Sequence, residues 1–278
     1  MDSSSGVALG PYQLIERLGH GTTATLYRAR HIALDGFVGV KVLHEQFARD
    51  PRCRRRFLAA ARACALLNHP HVANVVDYGQ QEGAVYLVME LAGRGPLAAL
   101  RRPMAPGNLL KLLEPVARAL DYAHACGTLH LGIKPANILI RADGSAALAD
   151  FLLSRLANSN GTSTDAVDAP GPSEYRAPEQ AVEGPVGGAA DRYALAVVCR
   201  EMLSGLLPFQ SGAGRTVMSA PFDSTIRIGS AIATRLPDAV TSVLDRGMAT
   251  APADRHSSAE ALMVALSSAY ANDLTGRD

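Results

Sequence analysis

The sequence predicts an α+β fold of two lobes, a strand-rich first part followed by a larger helical part. Three observations carry this. Short β-rich runs, Tyr12 to Leu18, Thr23 to Ala29 and Phe37 to Leu43, are punctuated by glycines and polar residues as in antiparallel hairpins. Two further strand candidates follow, Val72 to Tyr78 and Ala84 to Glu90. After Ala92-Gly93 the character changes. Leu109, Leu112, Leu113, Val116, Ala117, Leu120 and Ala123 fall at helical spacing and make one apolar stripe.

Between the two sets of strands, the Ala- and Leu-rich stretch from Arg54 to Leu67 predicts a helix. Pro115 lies inside the apolar stripe, where an interior proline costs about 3 kcal/mol, so a kink or a late start is expected. Residues 188–204 and 257–271 are further helix candidates.

With 278 residues the chain is long enough to bury a large core. A hydrophobic content of 48% with 19% charged residues is ordinary for a soluble globular protein. The formal charge of +1 gives no global pull toward nucleic acid or a membrane surface. No apolar run approaches the length needed to cross a bilayer. The start, Met1 to Gly6, lacks the basic and apolar regions of a signal peptide. Residues 1–11 and 271–278 are expected to be tails. Cys53, Cys64, Cys126 and Cys199 are scattered without a C-x-x-C pair. They read as reduced, mostly buried thiols of a cytoplasmic protein.

Several constellations bear on chemistry. Gly19-His20-Gly21 stands between two strand candidates, where glycines let backbone approach phosphates closely; alone it is equally an ordinary hairpin turn. Val38-Gly39-Val40-Lys41 is a β-run ending in a lysine that could meet nucleotide phosphates, and a lysine alone there would be a solvated strand residue. Its place just after the glycine turn favours the nucleotide reading. Asp150, after a strand-like run, could hold Mg²⁺ together with Asn137, since hard cations prefer oxygen ligands. By itself it would cap a turn.

Taken with His130-Leu131-Gly132-Ile133-Lys134-Pro135-Ala136-Asn137, Ala149-Asp150-Phe151-Leu152 and Tyr175-Arg176-Ala177-Pro178-Glu179, these motifs stand in order from about Tyr12 to Tyr270. In that order the chain resembles the eukaryotic-type (Hanks-type) serine/threonine protein kinases of bacteria. The resemblance implies a bilobal protein-kinase fold, an N-lobe over 12–91 and a C-lobe over 92–270. It implies ATP and Mg²⁺ as ligands. Gly19, Gly21, Leu26 and Lys41 would face the nucleotide, Met89 would be the gatekeeper, and Glu90 and Ala92 would belong to the hinge at adenine. Leu139 would line the floor under the base, Lys134 would touch the γ-phosphate, and Asn137 and Asp150 would hold metal. Asp191 is similar to the family's helix Asp that anchors the loop backbone, and Glu179 and Arg255 to its buried ion pair.

Departures from that family pattern are grouped. Gly132 replaces the catalytic Asp that accepts the substrate hydroxyl proton, and Leu131 replaces the preceding Arg. The glutamate that should orient Lys41 falls on Ala60, and residues 51–76 hold no Asp or Glu at all. Leu152 replaces a glycine, and Pro172 replaces a threonine that works with the missing Asp. Without the Arg, Thr162, Ser163 and Thr164 lose the usual partner for a phosphate switch. Nucleotide- and metal-facing groups remain, and groups that activate a peptide hydroxyl are gone. The expectation is a pseudokinase that binds nucleotide weakly and regulates a protein partner such as an active kinase. A residually active serine/threonine kinase is the alternative. The arginine-rich stretch from Arg49 to Arg62 reads as a solvated helix face or as a docking surface.

Overall fold

In the computed structural model, described over residues 7–34, 36–151, 173–181, 185–208 and 235–275, a strand-rich part with two helices inserted after its fourth strand precedes a mainly helical part. Leu152, Thr162, Ser163, Thr164 and Pro172 lie outside the described residues. The strands are β1 Ala8–Leu9, β2 Tyr12–His20, β3 Ala24–His31, β4 Phe37–Leu43, β5 Val75–Gln81 and β6 Ala84–Met89, in one antiparallel sheet of order β1-β2-β3-β4-β6-β5. A small hairpin, β7 Ile138–Ile140 with β8 Ala146–Leu148, sits in the helical lobe.

The helices are α1 Glu45–Arg49, α2 Pro51–Ala65, α3 Pro106–Ala125, α4 Gly188–Ser204, α5 Asp238–Gly247 and α6 Ala259–Thr275. Helix α2 starts three residues before the sequence expectation. Asp50 caps it by accepting from the Arg52 N–H at 2.8 Å, and Pro51 sits in the first turn, where its missing N–H costs nothing. Helix α6 is started by Asp121 of α3, whose carboxylate accepts from the Ala259 and Glu260 N–H groups at 2.9 Å each.

Helix α3 corrects one expectation. It runs unbroken from Pro106 with Pro115 inside, so it does not start late. Its stripe of Leu109, Leu113, Val116, Ala117, Leu120 and Ala123 is fully buried. Burying a leucine contributes about 1.5–3 kcal/mol, so the stripe outweighs the single lost bond. The proline faces away from the deepest part of the core and Lys111, whose carbonyl loses its partner, is exposed.

Strand β5 also begins three residues later than expected. Residues 71–73 pair with the helical lobe instead: Leu148 N–H donates to His71 O at 2.9 Å and Ala73 N–H to Leu148 O at 2.7 Å. The core of the helical lobe joins α3, α4, α5, α6 and the β7–β8 hairpin, and it reaches across to Cys64 on α2.

Candidate functional site: the cleft between the lobes

The centre of the cleft is an ion pair between groups 109 residues apart in sequence: Lys41 Nζ lies 2.5 Å from Asp150 Oδ2. Lys41 is placed by β4, whose register sets it beside Leu26 on β3 and Leu87 on β6. Asp150 sits just past β8, in the left-handed region at φ 67°. Aspartate tolerates that region better than most residues, yet it is a strained position and marks a site held by its surroundings. Burial opposes ionisation of Asp150, and Lys41, His130 and Lys134 more than offset it, holding the carboxyl below its ordinary value.

The second oxygen, Asp150 Oδ1, is buried and has no hydrogen-bond partner. An orphaned carboxylate oxygen is costly unless a cation or water meets it. That atom fits a Mg²⁺ ligand. Asn137 joins the same place from below. Its Nδ2 donates to Gly132 O at 2.8 Å, and its backbone carbonyl accepts from Ala149 N–H at 2.9 Å. One of the two amide N–H groups is used in this way, and the side-chain amide oxygen is the group suited to a hard cation. Lys134 is pushed below its ordinary value, chiefly by burial, with Asp150 opposing and Lys41 adding to the shift.

The apolar walls follow from strand register. Gly19 pairs with Leu26, and a Cβ placed on Gly39 would stand 3.4 Å from Met89 Cγ and 3.5 Å from Leu26 Cδ1. Leu26, Gly39 and Met89 are therefore neighbours on one face. Met89 packs with Ala73, Ala147 and Ala149, and Leu139 lies against that cluster from the helical lobe. Glu90 follows β6 and donates its N–H to Asn74 O at 2.9 Å. Its carboxylate is held by Arg141 at 3.0 and 2.7 Å, a partner that spacing alone does not reveal. Ala92 lies two residues on, half-buried in the strap between the lobes.

Below the ion pair, the loop of residues 130–137 hangs from α4. Asp191, 1% exposed, accepts from His130 N–H at 2.8 Å and Leu131 N–H at 2.6 Å, and lies 2.8 Å from His124 Nε2. His130 in turn bonds Ala149 O at 2.9 Å and packs its ring 4.5 Å from that of Phe151. From α2, Cys64 Sγ reaches the Phe151 backbone carbonyl at 3.6 Å. Burial, with Asp150 adding, pushes the Cys64 thiol up to about 12. It is thus a packing residue. Glu179 and Arg255 form a two-pronged pair at 2.6 and 2.7 Å, with the Arg255 side chain fully buried.

The positions that depart from the resemblance are structurally occupied. Ala60 is buried on the inner face of α2 in an apolar cluster with Leu43, Phe57, Ala61, Val85 and Leu87. Leu131, at φ 58°, packs against the cluster of Ala177, Ala190, Tyr193 and Val197. No described group replaces the carboxylate at Gly132: His130 and Lys134 flank it, and the carboxylate of Asp150 is engaged by Lys41.

Comparison with known proteins agrees with this geometry. The protein kinase domain family matches residues 12–266. Serine/threonine-protein kinase PknH of Mycobacterium tuberculosis is 37% identical over 267 residues, covering 95% of this chain and 42% of that protein. PknE of Mycobacterium bovis is 35% identical over 258 residues, covering 92% of this chain and 45% of PknE. The chain thus spans less than half the length of these relatives. A crystal structure of the Mycobacterium tuberculosis PknI kinase domain is similar, with a TM-score of 0.70, 30% identity, and coverage of 95% of this chain and 98% of that one. The cleft, its hanging loop and its strand lysine are those of a bilobal kinase, and the chain belongs to the protein kinase domain family.

Proposed function

We propose that this chain is a pseudokinase: it binds ATP, weakly and with Mg²⁺, and acts as an allosteric or scaffolding regulator in serine/threonine phosphorylation signalling. The observation that carries the reading is the fate of the lost transfer groups. Ala60 and Leu131, where a kinase keeps a glutamate and an arginine, are absorbed into apolar clusters. On the nucleotide side Lys41 and Asp150 keep their ion pair with an orphaned carboxylate oxygen, and Asn137 is held by the Gly132 carbonyl and the Ala149 N–H. In this reading Lys41 meets the phosphates, Lys134 the γ-phosphate, and Asn137 and Asp150 the metal. Leu26, Met89 and Leu139 enclose the base near the backbone of Glu90 and Ala92, and Gly19 and Gly21 cover the phosphates.

A protein partner fits the outer face of α2. Arg52, Arg55, Arg56 and Arg62 are exposed there, while the inner face packs Ala60 with Leu43, Val85 and Leu87 of the sheet and brings Cys64 to Phe151. A partner with an acidic segment docking on that face would bear on the turn of Asp150 and Phe151.

The test is a melting experiment with a transfer assay. Ligand at 100 times its dissociation constant stabilises by about 2.7 kcal/mol, a shift of several degrees for a domain of this size. ATP with Mg²⁺ is expected to raise the melting temperature without label moving from ATP to a generic protein acceptor, and Lys41→Ala is expected to remove most of the shift. Label transfer that disappears in Lys41→Ala would instead favour a residually active serine/threonine kinase. The specific observation on that side is Lys134, which is retained in the loop and interacts electrostatically with Asp150 and Lys41. Gly132→Asp sharpens the choice. A positioned base is worth about 10²–10⁴-fold, but with Ala60 and Pro172 unchanged the variant is expected to stay below tenfold over the parent. A rise of 10²-fold or more would overturn the view that the losses act together.

A further inference from the structure

We propose that His20, Thr25 and His44 form a latch that positions the glycine-rich turn and lets go of it in acid. The latch lies on the turn that the nucleotide reading uses, and it can be tested without nucleotide.

The three residues come from three places. His20 ends β2, Thr25 opposes it in register on β3, and His44 follows β4. Thr25 is 6% exposed. Its Oγ1 lies 2.8 Å from His20 Nδ1 and 3.1 Å from His44 Nε2. The two imidazoles stack over it with centroids 4.4 Å apart and planes 21° from parallel. The backbone repeats the same closure: Gly21 N–H donates to Ala24 O at 2.9 Å and His44 N–H to Thr23 O at 2.8 Å. The turn that would cover phosphates is therefore tied to the end of β4, three residues beyond Lys41.

The chemistry of the hydroxyl decides how the latch is protonated. Thr25 has one proton, so the arrangement that uses every group has it accept from one ring and donate to the other. That requires an uncharged ring as acceptor, and the latch takes His44 Nε2 in this role with His20 Nδ1–H as donor. A proton on His44 Nε2 would remove the acceptor for the Thr25 hydroxyl proton, so the arrangement in which every group is used is lost. Burial, then His20, holds His44 below the ordinary histidine value, and a hydrogen bond to the Thr22 backbone works the other way. Among the described residues the titratable group acting on His44 is His20 on β2. Glu45, next in sequence on α1, is paired with Arg49.

The sign follows. A histidine lowered in the fold favours the closed form above the ordinary value of about 6.5. That contribution is lost as pH falls below it toward the lowered value. The turn is thus latched near neutrality and loosened in mild acid.

Amide hydrogen exchange on the nucleotide-free full chain tests this, read at Gly21 and His44 as protection relative to intrinsic exchange. Protection is expected to fall about fivefold between pH 7.5 and pH 5.5, the equilibrium worth of one ordinary hydrogen bond. His44→Gln keeps a neutral acceptor and should abolish the pH dependence. Thr25→Val should lower protection at both pH values, and Thr25→Ser should restore it. If Thr25→Val does not fold, the comparison of His44→Gln with the parent still decides. Protection that is flat with pH in the parent, or a fall that persists in His44→Gln, overturns the latch. Because no nucleotide is present, either result leaves the question of ATP binding to its own experiment.

Discussion

Glu179→Ala is expected to cost about 3–5 kcal/mol of folding stability, the usual price of stranding one partner of a buried ion pair. The stranded group would be Arg255, whose side chain is fully enclosed and whose guanidinium also reaches Ala189 O, Ala249 O and Thr250 O. Those carbonyls hold it in place, so it cannot swing out to water. Burial works against ionisation of Glu179, and the Arg255 bonds more than offset it, holding the carboxyl below its ordinary value. A lowered acid stabilises the fold above its unfolded pKa and loses that contribution as pH falls below it. Denaturant midpoints should therefore show the parent and Glu179→Ala converging below about pH 4, with the gap fully open at neutral pH. An unchanged midpoint at pH 7 would mean that the pair contributes nothing net.

Asp191→Ala is expected to be comparably damaging, for a different reason. Two backbone N–H groups, of His130 and Leu131, lose their acceptor together. Each buried donor left unpaired costs about 1–3 kcal/mol. Leu131 is also held at φ 58°, where an L-residue other than glycine pays about 1–2 kcal/mol. Without the Asp191 bond it is free to relax out of that region and pull residues 130–137 with it. Unfolding free energy should drop by about 2–5 kcal/mol, and exchange at the Leu131 amide should rise more than at the buried amides of α4. A stable variant with an unaltered Leu131 amide would show that the loop stands without its anchor.

The sequence announced the polar side of the cleft because those residues carry their meaning in type and spacing. Lys41 ends a strand, Asp150 follows one, and Asn137 stands at fixed distance from His130. Helix α4 was legible to its ends, since residues 188–204 are rich in Ala, Leu, Val and Met with no interior proline, and Gly205, which adopts φ 80°, closes them. Helix α2 was found but its start was not, because Asp50-Pro51 is a capping signal rather than an apolar one. The shift of β5 was not legible at all: Val72 and Ala73 look like strand residues and are extended, but their partner is Leu148 in the other lobe. The same holds for Cys64 beneath Phe151 and for Arg141 beside Glu90. Each depends on which distant segment arrives, and local pattern holds no record of that.

The Arg141 contacts have a mechanical consequence. One guanidinium reaches the Glu90 carboxylate in the strap between the lobes and the carbonyls of Pro70 and Val72, which lead into β5. Pulling the lobes straight apart would have to break these bonds, whereas swinging one lobe about Arg141 stretches them little. Arg141 thus acts as a pin at the rear edge of the cleft, and the Lys41–Asp150 pair ties the same two lobes a second time.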